Sequence, residues 1–163
     1  RCKNWSTDRL FTFDIIWIFF TIIFFQKMIN ETIIKLALNT SNVGLENKYS
    51  HKVSLKNTLC GDKITLEIMA KGNRINSMKY ETESCVYCEA SASLLSQKIK
   101  YLNVKDLKND FAKLKKISKQ KKIKIPRKYS DFGKLLNSDN LNRFKCIFLP
   151  FDAVIKALKL RKR

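Results

Sequence analysis

Residues 63–82, KITLEIMAKGNRINSMKYET, decide the fold. Ile64, Leu66, Ile68 and Ala70 fall on alternate positions, and beyond the turn Lys71-Gly72-Asn73 so do Met78, Tyr80 and Thr82. A period of two sends one side of each strand into a core and leaves the other in water. A short glycine-containing turn between two such runs predicts an antiparallel hairpin. Upstream, residues 50–56 carry Val53 and Leu55 and supply a third strand. Residues 39–44 (NTSNVG) read as a turn. Before them, 30–38 (NETIIKLAL) predict a short helix, with Asn30 as N-cap and Ile33, Ile34 and Leu38 on one face.

Downstream the period changes. Residues 86–99 contain the small, helix-compatible run EASASLLSQKI. Val104, Leu107, Phe111, Leu114 and Ile117 then form an apolar stripe on a helix over 103–118 that begins at Asn103. The stretch 119–128 (KQKKIKIPRK) is basic, holds Pro126 and reads as a loop or extended connection. A short helix from Ser130 to Leu136 follows, and a last one carries Phe151, Val154, Ile155 and Leu158 with Pro150 in its first turn. Strands first and helices afterwards predict an α+β fold, a three-stranded antiparallel sheet with helices packed on one face.

A chain of 163 residues suits one domain with a proper core. The organisation read here is an apolar N-terminal segment, 1–27, and a single domain over 28–163 with a basic insertion near 119–140. The run IIWIFFTIIFF at 15–25 is shorter than the ~20 apolar residues of a spanning helix. Basic residues precede it, but no small-residue cleavage site follows. We expect the working chain to start at Met28, with a membrane anchor through residues 10–25 as the alternative.

Only seven of the 33 basic residues are arginine, at 1, 9, 74, 127, 143, 161 and 163. A net charge of +19 built mostly from lysine, beside abundant Ile and Asn, fits AT-rich codon usage. It also raises a basic nucleic-acid-binding module as an alternative. The basic run from Lys113 to Lys128 contains no aromatic residue for base stacking, so no nucleic-acid partner is expected. Five cysteines, an odd number in a lysine-rich chain, do not make a disulfide framework. They point to free thiols in a reducing compartment, hence a cytoplasmic protein with metal or redox chemistry.

Cysteines flank the hairpin. Before it stands Asn57-Thr58-Leu59-Cys60-Gly61-Asp62, and after it Cys85-Val86-Tyr87-Cys88-Glu89-Ala90-Ser91-Ala92-Ser93, with Cys146 later in Arg143-Phe144-Lys145-Cys146. Thiolates ligate iron–sulfur clusters and Zn²⁺, and Asp62 can add an oxygen as a fourth ligand. Gly61 lets the backbone bend so that Cys60 and Asp62 approach one centre. Cys85 follows a strand and opens a helix, where unpaired N–H groups favour negative charge beside it. Small residues at 90–93 allow that helix to pack tightly beneath. Spacing alone marks a metal or thiol site, against the alternative that the cysteines are small buried hydrophobes.

Together the three segments resemble the NifU/IscU/SufU-like iron–sulfur cluster assembly scaffolds, whose pattern reads N-x-x-C-G-D, then G-C-x-x-x-x-A-S-x-S, then a late cysteine before a C-terminal helix. The resemblance covers residues 30–160. It implies that Cys60, Asp62, Cys85 and Cys146 ligate a transient cluster, of 2Fe–2S type, or alternatively Zn. It further implies that one cysteine, Cys146 or Cys85, accepts persulfide from a cysteine desulfurase. Apo iron–sulfur proteins would be the recipients. The expected function is a scaffold rather than an enzyme; the alternative is a zinc-dependent sulfurtransferase. Cys88 is read as incidental, its other role being an auxiliary ligand or resolving thiol, and Cys2 receives none. Two departures stand out: Lys145 replaces a histidine found beside the last cysteine in bacterial relatives, and NLNRFK at 140–145 replaces a chaperone-binding segment. The only histidine, His51, is expected on the surface of the first strand.

Overall fold

The computed structural model describes residues 30–118, 120 and 123–159. The residues from Thr32 onward belong to one compact unit, and the fold below is that of this unit. The apolar segment 1–27 lies outside the described residues. Among those that are described, no helix is long and apolar enough to cross a membrane.

Three strands, β1 (His51–Lys56), β2 (Lys63–Lys71) and β3 (Arg74–Glu83), form an antiparallel sheet in the order β1-β2-β3. The hairpin turns at Gly72, which takes the left-handed φ of +59° that a glycine adopts freely. The register shifts between Met69 and Ala70, which pair with Ser77 and Ile75, so Asn76 is an extra residue on β3. This bulge turns Ile75 inward along with Met78 and Tyr80, which simple alternation does not provide.

Helix α1 (Glu31–Ala37) precedes the sheet. Its buried side differs from the expected one: Ile33 is buried and Leu36 and Ala37 pack against the core, whereas Ile34 and Leu38 face out. Spacings of three and four from Ile33 lead to Leu36 and Ala37, and over two turns that stripe prevails. After the sheet come α2 (Val86–Lys98), a 3₁₀ turn at Ile99–Tyr101, and α3 (Val104–Ile117) with Asn103 at its N-cap. Leu107, Phe111 and Leu114 of α3 are buried, as its stripe predicts. The short helix expected from Ser130 is instead 3₁₀ structure over Arg127–Lys134, begun by Pro126 and kinked at Tyr129. A second 3₁₀ segment, Ser138–Arg143, leads into α4 (Phe144–Ile147) and α5 (Leu149–Ala157).

Helix α5 lies against β1 and β2, while α2 lies against β3. Their shared core holds Ile64, Leu66, Ile68, Tyr80 and Leu95. Beyond it, Phe151 is the hub of an aromatic cluster, with ring centroids 4.6 Å from Phe111, 5.1 Å from Phe132 and 5.4 Å from Phe148. Tyr129, Phe132, Leu135 and Leu136, from the segment read as a basic insertion, are buried in the same core.

The outer face of the sheet is not uniformly wet. Residues 42–47 run along the free edge of β3, where Gly44 N–H donates to Tyr80 O and Tyr80 N–H to Asn42 O. The segment then covers Glu67, whose Oε2 accepts the Glu46 and Asn47 amides, both at 3.0 Å, while Lys52 pairs with Oε1 at 2.8 Å. The two amides and the Lys52 ion pair offset the cost of burying this carboxylate, and hold it below the usual carboxylate range although burial opposes this.

Because Phe151 joins α5 to α3 and to the 3₁₀ segment, Phe151→Ala should cost about 3–5 kcal/mol of unfolding free energy. Urea titration of the two proteins measures it, and a loss under about 1 kcal/mol would contradict the hub role.

Candidate metal centre

The loop between β1 and β2 is tied by its own residues. Asn57 N–H donates to Asp62 O at 2.7 Å, and Gly61 N–H returns to Asn57 O at 2.9 Å. Closing so short a loop needs a left-handed residue, and Gly61 supplies it with φ +77°. The Asn57 side chain completes the frame: Oδ1 accepts Leu59 N–H at 3.1 Å and Nδ2 donates to Cys60 Sγ at 2.8 Å. Asn57 belongs to the quoted motif, yet nothing in its residue type alone signalled this role. Its position three residues before Cys60 was the available clue.

Asp62 is the centre of the site. Its side chain is buried, and Oδ2 receives Cys60 Sγ at 2.9 Å and Cys85 Sγ at 3.6 Å. Its other oxygen, Oδ1, accepts the Cys85 N–H at 2.9 Å, one of the free amides at the start of α2. Burial pushes the Asp62 carboxyl up, but bonds from Cys146, Cys60 and Cys85 outweigh it and hold the group below the ordinary carboxylate range. Cys146 shifts oppositely: burial, with Asp62 and Cys60 beside it, raises its thiol far above the usual range. A cation entering here displaces thiol protons that the carboxylate now accepts.

Each ligand candidate arrives on a different support. Cys85 is the N-cap of α2, and Glu89 one turn later accepts from Tyr80 Oη at 3.1 Å and from the Thr82 hydroxyl, fastening the strand–helix junction. Cys146 sits in α4, which Ser91 holds from α2 by donating to Ile147 O at 2.7 Å. The buried small residues Ala90, Ser91, Ala92 and Ser93 permit that approach.

Residues distant in sequence therefore meet: Cys60 Sγ lies 3.2 Å from Cys146 Sγ. The candidate ligand atoms of Cys60, Asp62 and Cys146 all fall within 4.8 Å of one another. Ligands around a tetrahedral Zn²⁺ stand about 3.5–3.8 Å apart, given ~2.3 Å Zn–S and ~2.0–2.2 Å Zn–O bonds. The donor set thus fits a metal after the Cys60–Cys146 and Cys60–Asp62 separations, 3.2 and 2.9 Å, widen by roughly 0.6–0.7 Å. Cys60 is exposed and Cys85 half-exposed, so the centre opens to solvent on one side.

Cys88 occupies the third position of α2 and is fully buried; burial pushes its thiol up to about 12. His51 bonds to Ser50 Oγ at 2.8 Å and lies at the opposite end of β1 from the Cys60 loop. Lys145 adjoins Cys146, and the Arg143 guanidinium lies over the Tyr87 ring at 5.7 Å.

Residues 28–137 match a family model described as the NifU-like N terminal domain. The iron-sulfur cluster assembly scaffold protein IscU of Thermotoga maritima is 30% identical over 142 residues, covering 83% of this chain and 95% of that protein. The zinc-dependent sulfurtransferase SufU of Bacillus subtilis is also 30% identical, over 124 residues, covering 74% of this chain and 82% of its own. A crystal structure of a nitrogen-fixing NifU-like protein (N-terminal) from Brucella abortus superimposes with a TM-score of 0.71 at 19% identity, covering 80% of this chain and 91% of that one. At that identity the likeness speaks to fold alone.

If Asn57 frames the centre, Asn57→Ala should lower affinity for Zn²⁺, used as probe, by about 10–100-fold while far-UV circular dichroism stays unchanged. Competition with a chromophoric chelator reads the affinity; undiminished binding would remove Asn57 from the site.

Proposed function

This chain belongs to the NifU-like N terminal domain family, and from that premise we propose that it is a scaffold for iron–sulfur cluster assembly. It takes sulfur from a cysteine desulfurase together with iron. It holds the nascent cluster as cargo on Cys60, Cys85 and Cys146 with Asp62, then passes it to apo-proteins. The observation that carries this reading is the meeting of three sulfurs and one carboxylate at a half-open rim. A scaffold must release what it builds. One oxygen donor among sulfurs, and a leading ligand on an exposed loop, favour release over permanent retention.

A second reading uses the same residues: a zinc-dependent sulfurtransferase in which one cysteine carries persulfide. The donor spacing supports it, since a single tetrahedral ion needs little rearrangement, and so does the likeness to the Bacillus subtilis protein. Anaerobic reconstitution with iron and sulfide separates the two readings. Visible charge-transfer absorption with stoichiometric iron supports the scaffold. Bound zinc, with no such absorption after reconstitution, supports the transferase.

On the scaffold reading, Asp62→Ala keeps the fold and makes the assembled cluster longer-lived, because an oxygen ligand that favours release is gone. Decay of the visible absorption in the presence of chelator measures this, and an equal or faster decay would refute the role. Cys60→Ser, Cys85→Ser and Cys146→Ser should each abolish stable assembly, while Cys88→Ser leaves assembly from free sulfide intact.

A further inference from the structure

Cys85 and Cys88 stand at the N-cap and third residue of α2, with Cys88 N–H donating to Cys85 O at 3.0 Å. An N-cap side chain folds over the third residue of its helix, which is how capping serines reach that backbone amide. Side chains three apart in a helix are neighbours at about 5–6 Å between Cβ atoms, and a disulfide requires ~3.5–4.5 Å. Two cysteines spaced C-x-x-C at the start of a helix are the arrangement in which reversible disulfides form. One partner is half-exposed beside Asp62 and the other fully buried, so sulfur entering from outside reaches Cys85 first. The Ser84 hydroxyl donates to Cys85 O at 3.5 Å, at the strand–helix junction.

We infer that Cys85 and Cys88 form a resolving dithiol, which releases sulfur carried as a persulfide on Cys85 in the form of sulfide. The inference rests on the reading that Cys85 accepts persulfide. Cys88 Sγ attacks Cys85 Sγ, and the bond from Cys85 Sγ to the outer sulfur breaks. The bonding pair leaves with the outer sulfur, which takes the Cys88 proton and departs as hydrogen sulfide. That sulfur is reduced from the sulfane state to sulfide, and the two thiols, oxidised to a disulfide, supply both electrons. A dithiol reductant then resets the pair. Proximity within one turn offsets the low acidity of a buried thiol. The chain would thus generate the sulfide a cluster needs at the ligand that receives it.

The test uses the full chain with Cys2, Cys60 and Cys146 replaced by serine, so that only Cys85 and Cys88 can react. Metal-free protein is loaded with inorganic polysulfide, desalted and held anaerobically without reductant. The expected result is about one sulfide released per persulfide, with a Cys85–Cys88 disulfide found by peptide mass mapping. Cys88→Ser and Cys88→Ala should each retain the persulfide and release sulfide at least about tenfold more slowly. Equal release in these variants, persistence of the persulfide with no disulfide in the parent, or no sulfane sulfur on Cys85 of the Cys88 variants would overturn the inference. Assembly from iron and free sulfide, with Cys60 and Cys146 retained, bypasses the persulfide step. Failure there counts against the scaffold reading and not against the dithiol.

Discussion

The carboxylate of Asp62 organises this domain's functional end. It collects a backbone amide from the start of α2, the Cys60 thiol from its own loop and the more distant Cys85 sulfur. A buried carboxylate without such donors would cost several kilocalories per mole or take up a proton. Here its charge is retained because the ligand-bearing elements point their hydrogens at it. The same convergence that stabilises the metal-free protein is the arrangement a cation would need. Preorganisation and stability are in this sense a single feature of the site.

The fold serves that convergence through a few long-range ties. Glu89 secures the end of β3 to the first turn of α2, beside Cys85. Ser91 holds α4, and with it Cys146, from the opposite direction. Behind them Phe151 and its aromatic neighbours fix α5, which directly follows α4. The Cys60 loop is held by its own backbone and Asn57, and at its far end by Asp62, which accepts the Cys85 amide of α2. The candidate centre therefore combines two thiols on packed helices, Cys85 and Cys146, with a third on an exposed loop.

Much of this was legible in the chain because it rests on local periodicity. Alternation in β2 and the stripe of Leu107, Phe111 and Leu114 identified their elements, and quoted motifs marked Cys60, Asp62, Cys85 and Cys146. What escaped depends on partners far away or on very short elements. The burial of Glu67 comes from amides at positions 46 and 47, which no local pattern foretells. Ile75 faces inward only because Asn76 bulges, and a bulge breaks the period on which the reading depends. Helix α1 spans two turns, too few for its apolar residues to choose between two faces unaided. The 3₁₀ form of Arg127–Lys134 follows from the kink at Tyr129, which composition did not announce.

The candidate ligands come from three well-separated stretches, and Cys146 stands 61 residues after Cys85. During translation, Cys60 and Cys85 leave the ribosome long before Cys146 does. A half-made chain offers an ion two sulfurs and a carboxylate without the fold that brings them together. The full set of candidate donors is thereby assembled only after Cys146 has emerged, which guards a shorter nascent polypeptide against premature capture of metal.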